Sequence, residues 1–232
     1  MKKLWIIGHV DPPCLGYLAE ILDELGIPWT QISLSKGDAL PLIEEVRGVI
    51  SMGGPMSAYE LQNHSWIETE MAFHLKLIEA GIPFLGICLG AQILVQALGA
   101  QVKANERMEV GWLPLSSTPD LKNDPVFGHL SIPLLFQLHG DHFDLPSGAT
   151  RLLSSEISAN QAFRVGKTTY GIQFHPEADE AMCQEVYEEY RDQISSEQSE
   201  AILDHCGERA IAGKEFLKEV LQRLFGENSR AR

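Results

Sequence analysis

A cysteine between two glycines is the residue of this sequence best suited to act as a nucleophile. Cys88 follows the apolar run 83–87 and lies between Gly86 and Gly90. This pattern is typical of a nucleophile elbow, where a strand ends sharply and a helix begins. The elbow strains the nucleophile's backbone, and glycines are needed where strand and helix approach closely. The start of the helix also lowers a cysteine pKa. The pattern predicts a reactive thiolate at Cys88, with a buried structural cysteine as the alternative.

A second strand end supplies the groups that a thiolate enzyme needs beside its nucleophile. The segment 170–177 is typical of a strand that ends at His175, and Glu177 follows two residues later. An imidazole can take the thiol proton and later protonate a leaving amine, while a carboxylate holds the imidazole in place. Pro176 keeps the residue before it extended. Cys88, His175 and Glu177 are therefore the predicted catalytic residues.

The elements that must position these residues alternate between strand and helix. Apolar runs and helical spacing predict strands at 4–7, 29–34 and 47–52 and helices at 15–25 and 66–80. Beyond the elbow helix, strand candidates joined by hairpin-like turns lie at 111–115, 134–138, 151–154, 162–165 and 168–174. This order predicts an α/β fold with a central, mostly parallel sheet flanked by helices, plus a small antiparallel extension. The catalytic residues then belong at the carboxyl ends of the strands.

The last part of the sequence has a different character. From Glu180 to about Phe225 the pattern is helical and rich in Glu, with a break predicted near Gly207, and residues 227–232 are predicted to fray. A chain of 232 residues with 44% hydrophobic content suffices for one substantial core. We therefore predict one domain over residues 1–180 and a C-terminal helical extension over 181–232 that packs on the same domain.

Charge and cysteine content indicate which kinds of binding partner and which cellular compartment are compatible with this sequence. The formal net charge of −14 disfavours non-specific affinity for nucleic acid or an anionic membrane surface. No apolar run reaches the roughly 18 residues of a transmembrane helix, and the N-terminus does not continue into a signal peptide. The cysteines, which show no C-x-x-C spacing, are Cys14, Cys88, Cys183 and Cys206. A free thiol suits a reducing compartment, so we predict a cytoplasmic protein without nucleic-acid or membrane partners.

Four stretches together resemble the class I (triad) glutamine amidotransferases, most closely stand-alone members similar to the amidotransferase domain of GMP synthase. In the family's order they are MGGPMS at 52–57, GICLGAQ at 86–92, HGD at 139–141 with LP at 145–146, and GIQFHPE at 171–177. The resemblance extends over about residues 3–180. It implies a flavodoxin-like fold and the hydrolysis of the side-chain amide of glutamine.

The resemblance also implies a mechanism and an oxyanion hole. Cys88 attacks the carboxamide of glutamine, His175 protonates the departing ammonia, and a γ-glutamyl thioester remains until water releases glutamate. The backbone amides of Gly54 and Leu89 are implied as the donors that stabilise the oxyanion of the tetrahedral intermediate. An ordinary tight turn is the alternative for the glycines at 53–54.

Substrate-binding residues are implied on two further segments. Gln92 lies one helical turn after Cys88, on the same side of its helix, and is implied to contact glutamine. Main-chain groups implied to hold the α-amino and carboxylate groups are those of Val110, Gly111 and Trp112. The histidines at 139 and 142 lie on a predicted loop that helps to shape the site, and they lack a third ligand nearby. No metal and no cofactor are therefore predicted.

Several functions are compatible with these residues. The sequence contains no phosphate-binding loop for ATP, so it predicts no activation of a nucleotide by this chain. One hypothesis is an amidotransferase that delivers ammonia to a separate acceptor, such as a synthetase partner subunit. The second is a stand-alone hydrolase of γ-glutamyl peptides, and the third is a noncatalytic binding or regulatory module. Hydrolases of the PfpI group fit less well, because their histidine closely follows the cysteine, where this chain has Leu89.

Overall fold

The structure, a computed structural model, describes residues 2–226 and consists of an α/β domain with helices on both faces of one large sheet. The elements of its first half are β1 (Lys3–Gly8), α1 (Leu18–Glu24), β2 (Trp29–Ser33), β3 (Val46–Ser51), α2 (Trp66–Glu79), β4 (Phe84–Ile87) and α3 (Leu89–Ala97). These strands and α2 lie where the sequence predicts them. The segment 227–232, which was predicted to fray, lies outside the described residues.

The described part of the second half contains six strands followed by three α-helices. Its elements are β5 (Val102–Leu113), β6 (Ser116–Ser117), β7 (Leu135–Phe143), β8 (Thr150–Ser154), β9 (Ala162–Val165), β10 (Thr169–Ile172), α4 (Glu180–Tyr190), α5 (Ser196–Leu203) and α6 (Cys206–Phe225). None of the helices within residues 2–226 is both long enough and apolar enough to cross a membrane.

The central sheet has eight strands in the order β2-β1-β3-β4-β10-β9-β8-β6. The first five are parallel to one another, and the last three add an antiparallel extension. Strands β5 and β7 form a separate antiparallel pair. The predicted α/β fold with a mostly parallel central sheet is confirmed, and the elbow strand β4 lies between β3 and β10, near the middle of the sheet.

Two apolar clusters cover the two faces of this sheet, because successive side chains of a strand point in opposite directions. Phe84 packs in the cluster formed with α2 and α3. Its neighbour Leu85 packs in the cluster formed with α1 and α6. Leu217 and Leu221 of α6 are fully buried there, so the last helix contributes to a central core. The division into residues 1–180 and 181–232 stays a prediction.

Two local predictions were wrong. Residues 139–142 were predicted to form a loop, but they belong to β7, where His139 pairs with Glu109 of β5. The partner strand β5 extends over 102–113, well beyond the predicted 111–115. Only one end of each strand was predicted. The first part of β5 was missed because most residues from 103 to 107 are charged or polar and face solvent, so they show no apolar run.

The predicted helix break near Gly207 is confirmed, slightly earlier in the chain than that glycine. The chain turns at Asp204 and His205, and Gly207 lies in the first turn of α6. A Cβ atom on Gly207 would lie 2.4 Å from Oε1 of Glu180. That oxygen is the end of a flexible side chain, so this contact alone does not require glycine, and Gly207 does not itself end a helix.

Candidate active site

The turn from β4 into α3 has the geometry of a nucleophile elbow. Cys88 has φ +50° and ψ −108°, and within residues 2–226 the only other non-glycine residue with positive φ is His205. A Cβ atom on Gly90 would lie 2.2 Å from the carbonyl oxygen of Ser51, and one on Gly86 would lie 2.7 Å from the backbone of Gly90. Both flanking glycines are therefore required by close approach of the backbone, as the sequence predicts.

The sulfur of Cys88 lies in a nearly closed environment, with 7% of the residue exposed. Nε2 of Gln173 donates to Sγ at 3.5 Å, and the carbonyl oxygen of Leu138 lies 3.9 Å from it. A donor directed at the sulfur stabilises the thiolate over the thiol. Gln173 belongs to the GIQFHPE stretch, yet it was not singled out from the sequence as a site residue. Its position two residues before His175 was the available signal, since alternate residues of an extended segment share a side.

His175 and Glu177 form a buried pair next to the nucleophile. Nδ1 of His175 donates to Oε1 of Glu177 at 2.8 Å, and its backbone N–H donates to the carbonyl oxygen of Phe136 at 2.8 Å. Nε2 of His175 is the other ring nitrogen and has no hydrogen-bond partner in the described part of the chain. A Cβ atom on Gly53 would lie 2.9 Å from Cε1 of His175 and 3.5 Å from Cβ of Cys88. The structure therefore brings the ring and the nucleophile together across one narrow space.

Electrostatics favour a protonated imidazole at His175. Burial lowers the pKa of His175, but the negative charges of Glu177 and Cys88 outweigh it and hold this pKa well above its ordinary value. An imidazolium at Nε2 can donate a proton to a leaving group at neutral pH. His175 is thus suited to act as a proton donor beside the sulfur of Cys88.

The loop after β3 lies against the first residue of α3. A Cβ atom on Gly54 would lie 2.9 Å from Cδ2 of Leu89, so the two predicted oxyanion residues are direct neighbours. A side chain on Gly53 would enter the space between His175 and Cys88, and one on Gly54 would press against Leu89 and His9. These close approaches account for glycine at both positions.

Gln92 is buried behind the nucleophile and also reaches the cavity. Its Nε2 donates to Oε1 of Gln173 at 3.1 Å, and Gln173 in turn donates to the sulfur of Cys88. The two amides therefore form a hydrogen-bonded chain that ends on Sγ. This arrangement adds an orienting role for Gln92 to its predicted contact with substrate.

The structure does not bring Val110, Gly111 and Trp112 to the cavity. Trp112 donates from Nε1 to the carbonyl oxygen of Ile202 at 3.1 Å, and a Cβ atom on Gly111 would lie 2.9 Å from Cβ of Ala201. Gly111 and Trp112 are covered by α5, and the sequence of the strand alone does not predict where that helix lies. The segment reaches the cavity at Met108 instead.

A cavity of about 480 Å³ surrounds Cys88. Its walls are the elbow, the loop 53–57, part of β7 and one side of α4, which contributes Met182, Glu185, Val186, Glu189 and Tyr190. Asp141 and Glu177 add further carboxylates, and no Lys or Arg lines this cavity among residues 2–226. The wall is therefore acidic on the side of α4.

His139 lines the cavity without belonging to a metal site. Its Nδ1 donates to the carbonyl oxygen of Asp141 at 2.8 Å, and burial lowers the pKa of His139 despite the opposing charge of Glu109. Over residues 2–226, no group of three His, Cys, Asp or Glu side chains could hold a metal ion.

Comparison with known proteins agrees with this geometry. The sequence model of the class-I glutamine amidotransferase family matches residues 17–187. A GMP synthase (glutamine-hydrolyzing) of Prochlorococcus marinus is 35% identical over 134 residues, which cover 56% of this chain and 24% of that protein. The glutamine amidotransferase-like protein YfeJ of Salmonella typhimurium is 26% identical over 206 residues, which cover 87% of this chain and 85% of that protein. The chain thus spans a third or less of the length of the GMP synthases it matches.

Solved structures give the same assignment. A glutamine amidotransferase of Thermotoga maritima has a TM-score of 0.85 at 32% identity, with 97% of this chain and 98% of that chain covered. A glutamine amidotransferase of Methylobacillus flagellatus has a TM-score of 0.87 at 26% identity, with 97% and 94% covered. The family match extends over most of the chain, and these two structures share its fold over nearly its whole length. This chain belongs to the class I glutamine amidotransferase family.

Proposed function

We propose that this protein hydrolyses glutamine through a γ-glutamyl thioester on Cys88 and delivers the ammonia to a separate acceptor. The observation that supports the proposal most is the position of Cys88, on a strained elbow in the same buried cavity as the His175–Glu177 pair. A nucleophile and an adjacent, oriented imidazole are the groups that nucleophilic catalysis of acyl transfer from an amide uses.

The first half of the reaction forms the thioester. The thiolate of Cys88 attacks the side-chain carbonyl carbon of glutamine, and the carbonyl oxygen becomes an anion. The backbone amides of Gly54 and Leu89 donate hydrogen bonds to this oxygen. The imidazolium of His175 gives its Nε2 proton to the amide nitrogen, the carbon–nitrogen bond breaks, and ammonia leaves.

The second half releases glutamate. The neutral imidazole of His175 takes a proton from water, which attacks the thioester carbonyl carbon and forms a second tetrahedral intermediate. The carbon–sulfur bond then breaks, and the new γ-carboxyl group gives its proton to the solvent as glutamate leaves. The thiolate–imidazolium pair is thereby restored. Throughout this cycle Glu177 accepts the Nδ1 proton of His175 in a hydrogen bond and so keeps Nε2 directed at the reacting atoms.

The proposal includes a separate acceptor because this chain matches only part of the length of the GMP synthases. The matched GMP synthases are named as glutamine-hydrolyzing, and the segments they share with this chain make up 24% to 32% of their length. In those relatives the shared segment is the smaller part of the protein, so we infer that the ammonia is used outside this segment. A synthetase subunit is the partner that this reasoning supports.

A glutamine-like diazoketone tests the proposed nucleophile. We expect it to add one adduct at Cys88 and to abolish glutamate release, while Cys14, Cys183 and Cys206 stay unmodified. Cys14 is the sharpest internal control, because it lines the same cavity. Burial and the charge of Glu177 raise the pKa of Cys14, so little of it is thiolate at neutral pH. The measurement is peptide mass spectrometry beside an assay for glutamate.

Modification of Cys14 before Cys88 would contradict the assignment of the nucleophile. If the purified protein released no glutamate, with or without cell extract, the hypothesis of a noncatalytic module would be favoured.

The acidic wall of the cavity favours a second candidate, a stand-alone hydrolase of γ-glutamyl amides whose leaving group carries a positive charge. Glu185 and Glu189 of α4 lie on the wall, and no cationic side chain of residues 2–226 neutralises them there by lining the cavity. A leaving group that extends from the γ-amide toward α4 meets these carboxylates. Ammonia has no such extension, so these contacts would add nothing for glutamine.

A pair of matched variants distinguishes the two substrates. For the γ-glutamyl amide of a diamine, the double substitution Glu185→Gln with Glu189→Gln raises KM about tenfold, since two partly exposed ion pairs contribute roughly 1 kcal/mol or less each. The control is Glu188→Gln on the same helix, whose carboxylate instead pairs with Arg191 at 2.8 Å. Steady-state kinetics with both substrates measure the effect. Equal KM values in all three proteins would remove the second candidate.

A further inference from the structure

A buried chain of polar side chains lies behind the loop that carries Gly53 and Gly54. His9 follows β1, Ser51 ends β3, and Glu70 and His74 project from α2. All four residues are fully buried. Oε1 of Glu70 accepts from the hydroxyl of Ser51 at 2.7 Å and from Nε2 of His74 at 3.1 Å. Oε2 of Glu70 lies 2.9 Å from Nε2 of His9. The proposed reaction uses none of these side chains directly.

The hydrogen bonds of His9 require a proton on each ring nitrogen. Nδ1 lies 3.3 Å from the carbonyl oxygen of Gly53, and Nε2 lies 2.9 Å from the carboxylate of Glu70. Neither oxygen has a proton to give when Glu70 is ionised, so both ring nitrogens must donate. Burial raises the pKa of Glu70, but the charge of His9 and the hydrogen bonds from His74 and His9 hold this pKa far below its ordinary value. His9 is therefore held in a fully buried position between the carbonyl oxygen of Gly53 and the carboxylate of Glu70.

The contact with Gly53 determines the direction of the next amide. In a trans peptide the C=O of one residue and the N–H of the following residue point in opposite directions. With the carbonyl of Gly53 held by His9, the N–H of Gly54 points away from His9. The ring of His9 is itself fixed by stacking on Trp66, with centroids 5.1 Å apart and an interplanar angle of 10°.

Glycine at position 54 lets this peptide lie close to both neighbours. A Cβ atom there would lie 3.0 Å from Cβ of His9 and 2.9 Å from Cδ2 of Leu89. The peptide between Gly53 and Gly54 is thus bounded by His9 on one side and by the start of α3 on the other. Rotation of this peptide would break the bond to His9.

We propose that His9, anchored by Glu70, is a positioning residue that orients the N–H of Gly54 toward the oxyanion of the tetrahedral intermediate. This inference rests on the proposed function, since the oxyanion forms only if Cys88 attacks a carbonyl. His9 does not touch the substrate; it acts through the peptide of Gly53 and Gly54. A preorganised donor lowers the barrier because no reorientation is needed when the charge develops.

Two variants separate the two bonds of His9. In His9→Asn the side-chain nitrogen can occupy the place of Nδ1 and still donate to Gly53. In His9→Gln it can occupy the place of Nε2 and still donate to Glu70. Both variants lose the positive charge and the stacking on Trp66, so they are matched controls for each other.

The expected result is a difference in kcat with little change in KM. The kcat for glutamine falls about 100-fold in His9→Gln, as when one oxyanion donor is lost, and less than tenfold in His9→Asn, while KM stays within about twofold in both. Thermal denaturation is measured beside the kinetics. Equal losses of kcat in the two variants, or losses that follow their melting temperatures, would show a merely structural role and overturn the inference.

A measurement without turnover separates this inference from the proposed function. Nitrogen NMR of ¹⁵N-histidine-labelled protein reports the protonation of each ring, and the His9→Asn variant assigns the signals of His9. We expect protons on both ring nitrogens of His9 at pH 7. A neutral ring would overturn the inference even in an active enzyme, whereas a doubly protonated ring in a protein that releases no glutamate would point to failure of the proposed function.

Discussion

Replacement of Cys88 by alanine lowers the rate of glutamate release by roughly 10⁶-fold, the scale seen when the nucleophile of a catalytic triad is removed. Cys88 supplies the only atom of the proposed site that forms a bond to the substrate carbon. Without it, His175 and the oxyanion donors surround a carbonyl group that nothing attacks. The measurement is glutamate release from glutamine by the purified variant, with product detection sensitive enough for a 10⁶-fold decrease.

A structural control accompanies this variant. Alanine keeps the Cβ atom, so Cys88→Ala retains the strain of φ +50° and folds with nearly the stability of the parent protein. Cys88→Gly removes the strain, which costs about 1–3 kcal/mol at such positions, and it is therefore expected to melt at a higher temperature. Retention of glutamate release by either variant would refute Cys88 as the nucleophile.

Replacement of His175 by alanine has the second-largest expected effect and again lowers kcat by roughly 10⁶-fold. Glu177→Gln lowers kcat by about 10⁴-fold. Losses of this size are typical when the base of a catalytic triad, or the carboxylate that orients it, is removed. His175 moves the proton in both halves of the proposed reaction. Glu177 only holds Nδ1 of His175, through the 2.8 Å hydrogen bond. Steady-state kinetics on the two variants measure the difference.

The Glu177→Gln variant also changes the pH dependence. The negative charge of Glu177 is the main influence that raises the pKa of His175 against burial, which lowers it. Loss of that charge lets the imidazolium give up its proton at lower pH. The alkaline limb of the kcat/KM profile therefore moves to lower pH in this variant. Equal losses of rate in the two variants, together with an unmoved alkaline limb, would contradict the division of roles.

Local motifs explain why much of the site could be predicted. Cys88 lies between glycines directly after an apolar strand, and His175 and Glu177 are two residues apart after another. In each pattern, the neighbouring residues in the chain show why the functional residue lies at a strand end. Such a pattern can therefore be detected in a single sequence. The parallel sheet then brings the two strand ends together, because β4 and β10 are direct neighbours.

Other parts of the site depend on contacts that no local pattern contains. His9 and Glu70 are 61 residues apart in the chain, and each alone resembles an ordinary polar residue. The acidic side of α4 was predicted only as helix, because the sequence does not show which side of that helix faces the cavity. The same limitation applies to Trp112, whose position depends on α5, about 90 residues later.

The strand order β3-β4-β10 has a consequence for the reacting distances. The loop with Gly54, the sulfur of Cys88 and the imidazole of His175 follow three adjacent strands, which are about 4.8 Å apart. The backbone hydrogen bonds between these strands therefore fix the spacing of the reacting groups. Connections at the opposite edge of the sheet can lengthen or shorten without altering it, whereas a slip of one strand by one residue would displace a reacting group by about 3.3 Å.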